Sequence, residues 1–417
     1  MNPIVNLVLW ATYFISLYFV IFWLLVFLDG GMSEKKTKKL YKHPFVTIVI
    51  PAYNEEKRIK STINSALGLD YPREKLEFII VNDGSTDKTE AIVKKSIKSN
   101  KKFNIKLVRQ ENKGKGASLN SGLKIAKGEF FICLDADSFV KEDALKKILT
   151  HFNKKKVAAV LPLLKVQKPK NLLQKMQWLE YTVNMFYKRL MNKLDCLHVC
   201  PGPFSVYRKS VLKKVGGFDE NNLTEDLEIT LRLQNHHYKI VQLLDSDVYT
   251  VVPKSLKELY KQRSRWYKGA VSNALKYRHM MFNKKYGDFG FIQMPIIVIA
   301  GIIAVILITS FVYYASKPSI DYIYNMRFVD FDFITLLKNL VLNFHMLDIN
   351  YMALLVSVIM LMMSFFILIK SHQYTKEKIV KHGIVPITMY FVCYFLLLGV
   401  IWVGIAIEML LGIKQKW

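Results

Sequence analysis

The sequence has few cysteines and no recognisable nucleic-acid-binding motif, and each absence excludes a class of protein. Cys133, Cys196, Cys200 and Cys393 are too few and too scattered for a disulfide framework. The stretch "CLHVC" offers Cys196, His198 and Cys200 as metal ligands. Because no second pair with zinc spacing lies nearby, reduced thiols are the better interpretation. The net charge of +27 accompanies no RNA- or DNA-binding motif, so we expect no nucleic-acid partner.

Long uncharged apolar runs indicate a protein of the lipid bilayer. Residues 4–28 exceed the roughly 20 apolar residues that a helix needs to cross. They lack the basic start and the small-residue cleavage site of a signal peptide, so we predict an uncleaved membrane helix. Residues 289–315, 351–369 and 384–411 are also long enough, which predicts about four transmembrane helices.

The charges between these runs predict their orientation, because basic loops favour the cytoplasmic side. The lysines of "GGMSEKKTKK" and the basic loop "KSHQYTKEKIVKHG" are therefore expected inside. The connection 316–350 has little lysine and contains Asp321, Asp330, Asp332 and Asp348, so it is expected outside. We predict a multi-pass plasma-membrane protein with both termini outside and its main domain cytoplasmic. The basic tail "KQKW" weakly opposes an outer C-terminus.

Between the first run and the later ones, short apolar runs such as "FVTIVI", "EFIIV" and "FFICL" alternate with amphipathic stretches. This alternation predicts an α/β domain with a mainly parallel sheet. Residues 171–190 and 255–282 mix aromatic and basic residues at helical spacing, as interfacial helices do, although ordinary surface helices remain open. The predicted domains are 1–30 (membrane helix), 40–250 (α/β domain), 251–288 (interfacial helices) and 289–417 (three membrane helices).

Polar side chains follow three of the predicted strands. Tyr53 and Glu55 end "PAYNEE", and Asp83 begins "DGSTD" after the second strand. Ligands of open α/β sheets bind beyond the carboxyl ends of strands, so these residues could line one nucleotide pocket. Asp135 and Asp137 of "DAD" end the third strand and supply hard oxygen ligands suited to Mg²⁺ or Mn²⁺ beside a diphosphate.

Two further stretches each have a structural and a chemical interpretation. Lys115 of "KGKGAS" could approach phosphates, or the glycines could simply form a turn before a helix. Glu225 and Asp226 of "TED" could cap a helix, or one carboxylate could take a proton from an attacking hydroxyl. Another stretch, "KQRSRWYKG", has the spacing Gln-x-x-Arg-Trp and precedes an apolar run.

In this order, "PAYNEE", "NDGSTD", "KGASLNSG", "DAD", "GPFSVYR", "TED" and "QRSRW" resemble the membrane-embedded family 2 glycosyltransferases, which include cellulose, chitin, hyaluronan and poly-N-acetylglucosamine synthases. The helix count and "TED" are closer to poly-N-acetylglucosamine synthase. The resemblance implies a GT-A fold, a Rossmann-like mixed sheet, and a nucleotide-sugar donor, most often a UDP-sugar. It implies Asp226 as general base and Glu225 and Trp266 at the acceptor. The implied donor-site residues are Tyr53, Glu55, Asp83, Lys115, Asp135, Gln262 and Arg265, and the implied metal ligands are Asp135 and Asp137.

These residues predict inverting transfer of a sugar to a growing β-linked glycan at the cytoplasmic membrane face. Transfer of one sugar to a membrane lipid is the alternative, and a catalytically dead anchor or sensor is a third hypothesis. With few membrane helices, secretion of a polymer would need a homo-oligomer or an accessory subunit. Lys261, Arg263 and Lys268 are expected to face lipid headgroups, so Arg263→Ala should mainly weaken membrane docking.

Overall fold

The computed structural model describes residues 3–30, 42–327 and 351–413. Several features predicted from the sequence lie outside these residues. They are the lysine run after the first helix, the aspartates Asp330, Asp332 and Asp348 of the predicted outer connection, and the terminal "KQKW".

Eight strands in the described part of the chain form one mixed sheet, in the order β3-β2-β1-β4-β7-β6-β8-β5. The first four strands of this order are parallel, whereas β7 runs antiparallel to both of its neighbours. This arrangement confirms the predicted α/β class with a mixed sheet. The strands are β1 (Val46–Ala52), β2 (Leu76–Asp83), β3 (Asn104–Gln110), β4 (Phe130–Cys133), β5 (Phe139–Val140), β6 (Val157–Val166), β7 (Ser205–Arg208) and β8 (Lys239–Thr250).

The central strands are buried on both faces, as their unbroken apolar runs require. Val49 of β1 pairs with Ile79 of β2 and with Cys133 of β4, and all three side chains belong to one apolar layer. The opposite face packs into a second and larger layer. Because β1, β2 and β4 run in the same direction, their carboxyl ends meet at one edge of the sheet, and this edge carries the polar motifs.

Six helices pack around the sheet: α2 (Ile59–Leu67), α3 (Thr89–Ser99), α4 (Lys115–Ile125), α5 (Ala144–Leu149), α7 (Lys209–Lys214) and α8 (Glu225–Asn235). Two longer helices, α6 (Leu172–Lys193) and α9 (Leu256–Lys276), contact both the domain and the apolar helices. Helix α6 begins with a reciprocal capping box between Asn171 and Gln174.

The remaining helices are apolar: α1 (Pro3–Leu28), α10 (Met294–Met326), α11 (Tyr351–Thr375), and the nearly continuous pair α12 (Val385–Met389) and α13 (Phe395–Leu410). Four segments of the described chain are long and apolar enough to cross a membrane: Trp10–Leu28, Phe289–Lys317, Leu354–Thr375 and Val385–Leu410. The predicted number of apolar helices agrees with this result. The domain boundaries and the sides of the membrane stay predictions.

The last apolar segment touches domain-side helices near both of its ends. Before it, the His382 ring lies 4.7 Å from the Trp178 ring of α6. After it, the carbonyl oxygen of Ile413 accepts a hydrogen bond of 3.2 Å from Lys268 of α9. A simple alternation of sides did not anticipate this, because it would separate the two ends by the bilayer thickness.

Candidate active site

The loops after β1 and β2 are joined by hydrogen bonds. The Asn54 side chain accepts from the Thr86 backbone N–H at 2.8 Å, and the Asn54 backbone N–H donates to the Ser85 hydroxyl at 3.1 Å. Asn54 has a left-handed backbone (φ 54°), which asparagine tolerates better than most residues. Next to it, Tyr53 leaves 48% of its surface exposed, so its ring is free to stack on a ligand base.

Asp83 lies at the end of β2 and organises the loop that leads into α4. Its buried carboxylate accepts hydrogen bonds from the Gln110 amide (2.7 Å) and from the backbone N–H groups of Lys113 (3.0 Å) and Gly114 (2.9 Å). These bonds fix the turn that precedes Lys115. Asp83 therefore holds the loop before Lys115 through its backbone N–H groups.

Lys115 connects three motifs that are far apart in the sequence. Its ammonium nitrogen lies 2.7 Å from Asp135 Oδ1 of "DAD" and 3.0 Å from Glu225 Oε1 of "TED". Burial alone lowers the pKa of Lys115, but these two carboxylates more than offset it and raise the pKa well above its usual value. Lys115 therefore carries a charge. It links the predicted donor side of the site to the predicted acceptor side.

Gly202 of "GPFSVYR" lies against this ion pair. A Cβ atom there would overlap Lys115 Nζ and would lie 2.5 and 2.6 Å from the two oxygens of Asp135. Only glycine leaves room for this contact, because the neighbouring atoms are charged groups that are already paired. The motif "GPFSVYR" contributes to the family resemblance, but nothing in the sequence singles out Gly202, since such a glycine has no periodic signal.

Carboxylates collect beside Asp135 and raise one another's pKa. Burial and then the Asp135 charge raise the pKa of Asp137 to about 6. Burial, followed by Asp137 and less strongly by Asp87 and Asp135, raises the pKa of Glu55 to about 7, although Arg58 opposes the change. This concentration of negative charge and hard oxygens fits a divalent cation.

The described residues contain no cluster of three or more acidic, histidine or cysteine side chains arranged to hold a metal. Asp135 and Asp137 are two carboxylates, and this is a typical protein share of a Mg²⁺ site that takes its other ligands from water and phosphates. The residues therefore fit Mg²⁺ or Mn²⁺ bound together with a diphosphate.

Asp226 is half-buried at the start of α8. Burial raises its pKa to about 6 and the neighbouring Glu225 adds to this, while Lys115 and Arg265 oppose it. Its Oδ1 accepts a 2.8 Å bond from the Leu227 N–H, so the side chain also stabilises its own helix turn. A carboxylate with this pKa is mostly ionised at neutral pH, yet it is a stronger base than an exposed aspartate.

Helix α9 packs directly on the "TED" turn. A Cβ atom at Gly269 would overlap Thr224, and Asn273 donates to the Thr224 hydroxyl at 3.0 Å. This contact holds α9 beside Asp226, and Arg265 lies near enough to lower the pKa of that carboxyl. The Gln262 amide oxygen is buried, and it has no hydrogen-bond partner among the described residues. A ligand polar group would satisfy this amide.

The expected roles of Arg263 and Lys268 were wrong. Both side chains are buried and ion-paired, whereas Lys261 is exposed. Arg263 lies 2.6 Å from Glu180 of α6 and stacks over the Trp266 ring, with its guanidinium carbon 4.5 Å from the ring centroid. Lys268 lies 2.6 Å from Glu408 of α13. Their acidic partners, Glu180 and Glu408, lie far from α9 in the sequence. The local pattern of α9 therefore suggested lipid headgroups as the partners instead.

The arrangement brings eight of the predicted residues to one edge of the sheet and its neighbouring helices. These are Glu55, Asp83, Lys115, Asp135, Asp137, Glu225, Asp226 and Arg265, linked by the contacts and electrostatic effects given above. Tyr53 lies on the loop joined to this edge. Gln262 and Trp266 lie on α9, and Trp266 packs against the larger apolar layer. The individual roles of all these residues stay predictions.

Comparison with known proteins agrees with the geometry. Residues 47–216 match the family model Glycosyl transferase family 2. Over 270 residues the chain is 32% identical to poly-beta-1,6-N-acetyl-D-glucosamine synthase of Staphylococcus aureus (strain COL), an alignment that covers 63% of this chain and 65% of that protein. The synthase of Staphylococcus epidermidis is 32% identical over 276 residues, which is 64% of this chain and 65% of that one.

The chain thus spans about 65% of the length of these curated relatives. Among solved structures, a mannosyltransferase of Pyrobaculum calidifontis in complex with GDP-Man and Mn²⁺ superposes with a TM-score of 0.65 at 17% identity, covering 98% of each chain. That likeness shows a shared fold, and this fold is GT-A. Residues 47–216 therefore form a family 2 glycosyltransferase domain, which confirms the resemblance seen in the motifs.

Proposed function

We propose that this chain transfers a sugar from a UDP-sugar to a growing β-linked glycan, with inversion, at the cytoplasmic face of the plasma membrane. The observation that carries the proposal is the position of Lys115 between Asp135 and Glu225. This bridge brings the donor motif "DAD" beside the acceptor motif "TED", as a single transfer site requires. The relatives named as poly-beta-1,6-N-acetyl-D-glucosamine synthases make UDP-N-acetylglucosamine the first donor to test.

On the donor side, the loops of Tyr53, Glu55 and Asp83 would bind the nucleotide, and Asp135 and Asp137 would hold Mg²⁺ or Mn²⁺ with the diphosphate. A divalent ion would supply charge stabilisation to the leaving group. Gln262 and Arg265 would contact the phosphate oxygens from the α9 side. The amide NH₂ group of Gln262 would be the part that donates to a phosphate oxygen. Its buried amide oxygen has no partner among the described residues and would accept from a ligand hydroxyl. Guanidinium groups bind phosphate through paired hydrogen bonds.

On the acceptor side, the Asp226 carboxylate would remove the proton from the attacking hydroxyl. That oxygen forms a bond to the anomeric carbon as the bond from this carbon to the diphosphate breaks, and UDP departs with the bonding electrons. Attack from the face opposite the leaving group converts an α-linked donor into a β-linked product. The Trp266 ring, held in place by Arg263, would support the acceptor sugar, and Glu225 would lie beside it.

Donor screening tests the proposal. Purified full-length protein in nanodiscs should release a nucleoside diphosphate with UDP-N-acetylglucosamine and Mg²⁺ or Mn²⁺, and mass spectrometry should show a ladder of glycans. Asp226→Asn is the matched control, since it keeps the size of the side chain but cannot accept a proton. Absence of release with every UDP-sugar would overturn the proposal, and a retained anomeric configuration would overturn inversion.

Transfer of a single sugar to a lipid is the second candidate, because α9 contacts both α8, which carries Asp226, and the apolar helices. One added sugar on a lipid, with no ladder, would establish it. In either case accessory subunits or self-association would show as a requirement for a second component or as a larger particle. Full activity of the isolated monomer would exclude such a requirement.

A further inference from the structure

Glu408 is the single ionisable residue of the apolar helix α13, "FLLLGVIWVGIAIEML". A charged group in such a helix is unfavourable unless it has partners, and it usually marks a functional role. The transfer mechanism proposed above does not use Glu408. Its partners therefore indicate what it does.

Within the described residues, the polar contacts of the Glu408 carboxylate all come from α9. It lies 2.6 Å from Lys268 Nζ and accepts hydrogen bonds from the Tyr260 hydroxyl (2.6 Å) and the Ser264 hydroxyl (3.4 Å). These three residues are spaced by four, so they form one stripe along the helix. The Lys268 ammonium also donates to the carbonyl oxygen of Ile413, which ties the end of α13 to the same stripe.

Apolar and aromatic contacts fix the angle of the two helices on either side of this cluster. The Tyr267 and Trp402 rings stack with centroids 3.9 Å apart and an interplanar angle of 8°. Leu259 of α9 is fully buried against Ile401 and Ile405 of α13. Rotation of α9 about its own axis would break the Glu408 contacts and this packing together.

The opposite side of α9 carries the residues assigned to transfer. At about 100° per residue, Gln262 and Trp266 each lie roughly 160° around the helix from Ser264, and Arg265 lies roughly 100° from it. Glu408 thus contacts the side of α9 that is opposite to the side facing the site. Gln262, Arg265 and Trp266 therefore cannot rotate away from the substrates unless the contacts of Glu408 with α9 break.

We infer that Glu408 is a positioning residue. It sets the rotation of α9 so that Gln262, Arg265 and Trp266 meet the substrates, and so it couples the last apolar helix to the reaction. The inference rests on the proposed transfer function for its kinetic consequence. Its structural part, that Glu408 holds α9 through Tyr260, Ser264 and Lys268, rests on the contacts alone.

The test uses full-length protein in nanodiscs and two independent measurements. The first is hydrogen exchange of the α9 amides. Glu408→Ala should speed exchange across Leu256–Lys276 while leaving β1 and β2 unchanged. The second is steady-state transfer with UDP-N-acetylglucosamine. The same variant should lower kcat by about 10-fold to 100-fold, as small misplacements of catalytic groups do, and change the donor KM by less than about threefold.

Two further variants separate positioning from simple support. The charge swap Glu408→Lys with Lys268→Glu should recover much of the lost kcat, whereas either single change should not. Glu377→Gln is the matched control. Its carboxylate also joins the apolar helices to the domain, through Lys165 at 3.7 Å, but it does not touch α9. It should leave kcat unchanged.

The outcomes are distinguishable. Unchanged α9 exchange in Glu408→Ala would overturn the inference, and so would faster exchange with an unchanged kcat. Loss of kcat without rescue by the charge swap would also overturn the role of the Glu408–Lys268 ion pair. If the wild-type protein transfers no sugar but Glu408→Ala still speeds hydrogen exchange of α9, the proposed function fails. The structural role of Glu408 in holding α9 is then retained.

Discussion

Arg263→Ala should destabilise the protein rather than release it from the membrane. The Arg263 guanidinium is buried, lies 2.6 Å from Glu180 Oε2, and covers the Trp266 ring. The Tyr394 hydroxyl donates to the same Glu180 oxygen at 2.7 Å. Removing the arginine would leave the Glu180 carboxylate inside the protein with a hydroxyl partner but no cation.

The structure sets the size of this effect. Removing one partner of a buried ion pair costs about 3–5 kcal/mol, because an uncompensated charge remains. Loss of the contact with the Trp266 ring adds about 0.5–2 kcal/mol, and the two terms need not add, since they share one side chain. We therefore expect the free energy of unfolding to fall by about 3–5 kcal/mol. Lys257→Ala, at an exposed position of the same helix, should change it by less than about 0.5 kcal/mol.

The assay is unfolding of each variant in detergent micelles, followed by tryptophan fluorescence, with the contact of α9 with lipid measured in parallel by brominated-lipid quenching in vesicles. The double variant Glu180→Leu with Arg263→Met should be more stable than Arg263→Met alone, because no buried charge is left unpaired. The reasoning is refuted if Arg263→Ala unfolds like Lys257→Ala and loses only the contact of α9 with lipid. That result would return Arg263 to the role of a lipid anchor.

Four other outcomes are expected. Asp226→Asn should lower kcat by about 10²–10⁴-fold. Wild-type kcat should fall about tenfold per pH unit below about pH 6, because Asp226 acts as a base only in its ionised form and its pKa is about 6. A kcat that stays constant down to about pH 5 contradicts this. Asp137→Ala should weaken Mn²⁺ binding in the presence of UDP by more than about tenfold, measured by calorimetry; equal affinity would remove this residue from the metal site. Gly202→Ala should cost about 1–3 kcal/mol and impair transfer, whereas Gly68→Ala, with ordinary contacts at 3.5 Å, should keep activity. Ile413→Cys should react with an impermeant thiol reagent only from the side of the catalytic domain, because the backbone carbonyl of residue 413 contacts Lys268 of α9. Labelling from the opposite side would restore the predicted outer C-terminus.

The sequence was most informative where a motif directly follows a buried strand. Asp83 and Asp135 come just after unbroken apolar runs, so their place at the carboxyl edge follows from strand direction alone. The short strand β7 and the half-exposed edge strand β3 carry much weaker patterns. Their place in the sheet depends on pairing with distant strands, and local composition does not specify such pairing.

The centre of the site was only partly predictable. The sequence indicated Lys115, Asp135 and Glu225 as separate candidates, but not that one ammonium bridges two carboxylates. Gly202 could not be found in this way, since its importance lies in the space that it leaves beside that bridge. Contacts between segments about a hundred residues apart arise from the tertiary fold and leave no local period in the sequence.

Two isolated acidic residues in the sequence indicate the true partners of Arg263 and Lys268. Helix α6 contains one acidic residue, Glu180, and α13 contains one, Glu408, each amid aromatic or aliphatic neighbours. A carboxylate in such surroundings must be neutralised or paired, because an isolated buried charge is far too unfavourable to keep. A basic helix that also contacts apolar helices offers the nearest cations. The lone acids, rather than the abundant lysines and arginines, therefore carried the information that α9 is held on two sides by protein and not only by lipid.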